Sequence, residues 1–125
     1  MKRLLLPLLL IGLLLFIFIS LVRTDMSSPK AKSSAMKNAL MSGIKECIVR
    51  DAQNQSTGFS DVFRITQEYF YKIQPIDTNS CFKAKAVPTN DQNTWFEIDY
   101  DPGTGKTSKT CGDSSKQGCE EGNTW

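Results

Sequence analysis

The chain has no histidine, so the commonest general base and the commonest metal ligand are both missing. Its four cysteines include no C-x-x-C pair, which removes the usual zinc spacing. No serine stands in a nucleophile-elbow pattern. Internal repeats and low-complexity segments are absent from the sequence. An excess of one charge is lacking too, with 15 basic residues against 13 acidic. Lys2, Arg3 and Arg23 flank an apolar run, which leaves 12 basic against 13 acidic elsewhere. The slight basicity therefore belongs to those flanks and gives no argument for a nucleic-acid partner. Catalysis, a cofactor and a metal site are not expected from this inventory.

What the chain does have is a 19-residue apolar run, Leu4 to Val22, in which Ser20 is the only polar residue. As a helix it would reach roughly 28 Å, enough for one hydrocarbon core. Lys2 and Arg3 precede it, while Arg23 is followed closely by Asp25. That balance places Met1 in the cytoplasm and the rest outside. The run exceeds the usual signal-peptide core, and no A-x-A-like site or lipid-attachment cysteine follows it. The expectation is a retained inner-membrane anchor over residues 1–23 and one small domain, periplasmic or extracellular, over residues 24–125. Cys47, Cys81, Cys111 and Cys119 all follow the run, an even set that suits disulfides in an oxidising compartment.

Ser28 then Pro29 reads as an N-cap followed by proline at the first helical position. Met36, Leu40, Gly43, Ile44, Cys47 and Ile48 then recur at helical spacing, which predicts a helix over 29–53, about 36 Å long. Phe59, Val62, Phe63 and Ile65 suggest a short helical turn or irregular packing. Tyr69, Tyr71 and Ile73 alternate like a strand stopping before Pro75. Cys81 to Val87, then Trp95 to Tyr100, then Thr107 to Cys111 read as further β-structure, with turn chemistry at 101–105. The expected fold class is α+β: an N-terminal transmembrane helix, then a long amphipathic helix on an antiparallel sheet of about three strands.

Four local motifs invite a site. Gly105-Lys106-Thr107 imitates the end of a phosphate-binding loop, but Tyr100 stands where that loop needs glycine, so a hairpin turn is expected. Asp99, Asp101, Asp113, Glu120 and Glu121 match no EF-hand spacing and read as solvated loop carboxylates. Lys83, Lys85, Lys106, Lys109 and Lys116 are the candidate basic patch, with Lys83 and Lys85 on one strand face. Asn54-Gln55-Ser56 fits a glycosylation sequon, a match that arises readily by chance.

The stretch Lys30 to Leu40 resembles the first exposed helix of type IV pilins, especially the cyanobacterial ones. The tail Lys109 to Cys119, with Asn123-Thr124-Trp125, resembles their disulfide-closed C-terminal region. The resemblance covers roughly residues 29–125 in this layout. It implies a pilin-like head without an active site: a minor pilin or pseudopilin of a type IV pilus or type II secretion-like system. Other pilin subunits, pilus or secretion assembly proteins and the membrane would be its partners. The N-terminal run departs from the family, with no Gly-Phe-Thr-Leu-x-Glu-like processing site and Leu5 where the assembly glutamate belongs. A membrane-tethered envelope binding module that uses the same head is the alternative. Of three possible connectivities, Cys47–Cys81 with Cys111–Cys119 is expected. Gly112 and Gly118 let the second loop close, and Cys81 opens a strand that could cross the Cys47 stripe.

Overall fold

Ser28 begins the main helix as the sequence leads one to expect. Its hydroxyl accepts a hydrogen bond from the Ala31 amide at 3.2 Å, and Pro29 takes the first turn, where no amide donor is needed. The computed structural model describes residues 7–17, 28–63 and 70–125. They form helices α1 (residues 7–17), α2 (Pro29–Ala52) and α3 (Phe59–Val62), then strands β1 (Tyr71–Pro75), β2 (Lys83–Pro88), β3 (Phe96–Tyr100) and β4 (Thr107–Cys111).

The transmembrane helix expected over Leu4–Val22 is corrected by the structure. Among the described residues, no helix is long and apolar enough to cross a membrane. The 11 residues of α1 reach about 16 Å, roughly half of a hydrocarbon core. Residues 4–6 and 18–22 of the run lie outside the described residues, as do Lys2, Arg3 and Arg23. An unbroken apolar composition was the ground for one continuous span, and composition alone does not fix helix length.

The head is α+β. Its sheet is a four-stranded antiparallel meander, β1-β2-β3-β4, against the three strands expected. The strand read around Tyr71 and Ile73 is present as β1 and joins the sheet as its fourth member, ending on Pro75 itself rather than before it. An edge strand tolerates proline, because its outer side needs no ladder donor. Ile65 and Tyr69 lie outside the described residues. Cys81 sits in the turn before β2 rather than within it.

Register places Ile73, Ala86, Phe96 and Cys111 directly opposite one another across all four strands, and all four are buried. This row and the neighbouring Ala84 and Ile98 face α2, which buries Met36, Leu40, Ile44 and Cys47. The alanines on β2 are small, so the helix can approach the middle of the sheet closely. Asn93, buried in the β2–β3 connection, donates from Nδ2 to the Pro29 carbonyl at 2.8 Å and ties that loop to the start of α2.

Two disulfides close the head with the connectivity argued from the sequence. Cys47–Cys81 fastens α2 to the entry of β2, and Cys111–Cys119 closes the C-terminal loop, with Cα separations of 5.7 and 5.8 Å. At the far end of α2, Asp61 accepts from the Gly58 amide at 2.9 Å and the Ser56 hydroxyl at 2.6 Å. The Ser56 hydroxyl, the Gly58 amide and the Arg50 charge hold its carboxyl below the usual range.

Gly43 marks a close approach to α2. A Cβ there would run into the Phe63 ring, which is itself buried and stacked on Phe59 at 5.1 Å. In an open helix, alanine in place of glycine gains about 1 kcal/mol. Here Gly43→Ala is expected to reverse that sign and destabilise the head by about 1–2 kcal/mol through overpacking. Chemical denaturation of the variant, read as a lowered midpoint at unchanged slope, checks this.

Candidate functional site

The most elaborated local structure is the C-terminal clasp. β4 ends at Cys111, and the chain turns back through the Cys111–Cys119 loop so that Asn123 and Thr124 lie against the β4 edge. The Cys111 amide donates to the Asn123 carbonyl at 3.0 Å, and the Glu120 amide to the Thr124 carbonyl at 2.8 Å. An edge strand covered this way offers fewer free amides for unwanted pairing.

Trp125 locks the clasp. Its indole N–H donates to both the Thr110 and Glu97 carbonyls, at 2.9 and 3.1 Å. The ring meets Phe96 edge-on at 5.8 Å, while Lys37 and Lys109 place their ammonium groups 5.8 and 4.9 Å from its centroid. Cation–π contacts at such partly buried positions add to the burial of the ring. Trp125→Ala is expected to cost about 2 kcal/mol, less than a fully buried tryptophan because the ring is half-buried. Faster hydrogen exchange at the Cys111 and Glu120 amides would register it.

The five lysines singled out from the sequence do not form one patch. Lys83 and Lys85 share the sheet face turned away from α2, but carboxylates share it with them. Lys83 pairs with Asp99 at 3.6 Å, and Lys85 stands opposite Glu97 with its ammonium 4.2 Å from the Trp95 centroid. Lys109 lies in register with Ile98, on the α2 side, and its charge sits over Trp125. Lys106 is exposed in the β3–β4 connection, and Lys116 lies in the disulfide loop. Only Lys83 and Lys106 come together, in a shallow recess of about 630 Å³ shared with Asp99, Asp101 and Tyr100.

The turn carrying Gly105-Lys106-Thr107 leads into a strand. Gly105 has φ +72°, a conformation that favours glycine, and its amide donates to the Asp101 carbonyl at 2.7 Å. Thr107 then opens β4, so no helix amides follow to hold phosphate. The acidic residues are scattered. Asp101 accepts from the Gly103 amide, and Asp113 from the Ser115 hydroxyl and amide. Those bonds to Ser115, with Lys116 nearby, hold the Asp113 carboxyl below its usual range. Among the described residues, no group of three or more metal-ligating side chains converges. Asn54 of the sequon is exposed at the C-terminal end of α2, with φ +55°.

A second recess escaped the sequence reading. Met41, Ile44 and Ile48 of α2, with Ile98 and Tyr100 of β3, form a largely apolar groove of about 240 Å³, rimmed by Lys45 and Lys109. The helical stripe includes Ile44 and Ile48, but only the register of β3 and β4 shows that the sheet leaves this side of it partly open. Comparison with protein-family models, with curated proteins and with solved structures finds no match for this chain.

Proposed function

We propose that the chain is a non-enzymatic, pilin-like structural subunit, a minor pilin or pseudopilin of a type IV pilus or type II secretion-like system. Its head works on the oxidising side of the cell envelope, and its partners are other subunits of the same kind and their assembly proteins. One observation carries the reading. Nine large apolar side chains of α1, from Leu8 to Ile17, are each 47–70% exposed. A helix that is apolar all round and exposed requires other apolar surface to cover it. Neighbouring copies, each bringing an equivalent helix, supply such surface without any active site.

The head suits that role. Two disulfides stiffen it and fit an oxidising compartment. The resemblance of residues 30–40 and 109–119 to cyanobacterial-type pilins agrees with a helix-on-meander head closed by a C-terminal loop.

The test is capture of the full chain, carrying a C-terminal epitope, from the solubilised envelope of its native cell. Pilin-like subunits or pilus and secretion assembly proteins are expected in the eluate at near-stoichiometric amounts. Recovery of the chain free of such proteins would sink the reading.

A further inference from the structure

Outside α1, the described residues expose just two large apolar side chains, Val49 at 53% and Ile76 at 45%. Each has a distinctive surrounding. Val49 follows by one helical turn Lys45, which lines the groove of Met41, Ile44, Ile48 and Ile98. Both charged residues lining that groove, Lys45 and Lys109, are cations, and no carboxylate lines it. Ile76 opens the β1–β2 connection, directly after Pro75, and is followed at once by the exposed Asp77. Asp77 uses Oδ1 to accept from the Asn79 amide at 2.9 Å, which holds this segment in a fixed turn with its negative charge outward.

The two features are complementary in kind. One is an apolar groove rimmed by positive charge, and the other an apolar knob beside a negative charge. They cannot meet within one head. Ile76 follows β1, while the groove lies against β3 and β4, toward the opposite edge of the sheet. We propose that the Ile76–Asp77 segment of one copy docks in the Met41–Ile44–Ile48–Ile98 groove of a second copy, with Asp77 facing Lys45. The inference rests on the assembly reading only in taking a second copy of the chain as partner.

Because the two surfaces differ, the contact is heterologous and repeats from copy to copy instead of closing as a two-fold dimer. A short segment in a small groove buries far less than a standard interface, so the contact is weak singly and gains strength from repetition. It would set the lateral register of neighbouring heads, and the charge pair would set its polarity.

The experiment uses the full chain in its native envelope. A photo-activatable residue replaces Val49, one helical turn from Lys45, and tagged and untagged copies are expressed together. Irradiation is expected to give a two-chain adduct mapping to residues 74–79 of the other copy. Asp77→Lys is expected to cut its yield at least tenfold, and Lys45→Asp added to Asp77→Lys to restore it. No adduct, an adduct with another protein, or one with a different segment of the copy would overturn the proposal. A second probe at Leu14 separates this from the assembly reading. Copy-to-copy adducts from Leu14 without any from Val49 sink the docking proposal alone. Adducts from Val49 in chains that capture no pilin-like partner sink the assembly reading alone.

Discussion

Phe96→Ala is expected to destabilise the head by about 3–5 kcal/mol, the largest effect of any single side chain in it. Phe96 is 0% exposed and stands in the buried row Ile73–Ala86–Phe96–Cys111. It also receives the edge of Trp125 at 5.8 Å and the Lys37 ammonium at 5.3 Å. Alanine would open a cavity beneath the helix and remove the floor of the clasp together. A domain this size has about 5–15 kcal/mol of stability in all, so the variant would remain folded only narrowly. Phe96→Leu, which keeps most of the volume, is expected to lose less than about 1.5 kcal/mol. Denaturant midpoints of the two variants decide the matter. Equal losses would mean that volume at this position is not what holds helix and sheet together.

Removing the Cys47–Cys81 bond by paired alanine substitution is expected to cost about 2–5 kcal/mol. The bond joins positions 34 apart, whereas Cys111–Cys119 joins positions 8 apart. Loop-closure entropy alone then makes the first worth about 1.3 kcal/mol more than the second. Both sulfurs of the first are fully buried between α2 and the entry of β2, so its loss also loosens the packing of Ile44. Loss of the second bond is expected to act locally. It should speed exchange at the Glu120 amide while leaving the α2 amides protected. Thermal unfolding of the two paired variants, measured without reductant, tests the order. A larger loss from the Cys111–Cys119 variant would show that the clasp, not the helix-to-sheet bond, limits unfolding.

Much of the head is written in local sequence signals. Ser28 and Pro29 fix where α2 starts, and the stripe from Met36 to Cys47 fixes which side it buries. The four cysteines pair as their spacing and flanking glycines suggest. What local signals cannot carry is register. Alternation shows that Lys83 and Lys85 share a face, but only strand pairing sets Asp99 and Glu97 opposite them. The same pairing turns Lys109 toward α2, so an apparent basic patch separates into an ion pair, a lysine on Trp95 and a lysine on Trp125.

The membership of β1 in the sheet is hidden for a related reason. Tyr71 and Ile73 are a short alternation ending in proline, and their strand character comes mainly from pairing with β2. Trp125 has no periodic neighbours at all, so nothing local announces that it bonds to β3 and β4 at once. The apolar run erred in the other direction. Its composition argued for one spanning helix, whereas α1 covers only residues 7–17 among those described.

The proposed role is that of a subunit in a pilin-like assembly. Shearing native cells that carry the C-terminally tagged full chain, pelleting the filaments and probing both pellet and cell fractions tests it most directly. The tag is expected in sheared filaments or in isolated secretion-system assemblies, together with other pilin-like subunits. A chain found wholly outside such assemblies, as a free monomer in the envelope, would contradict it.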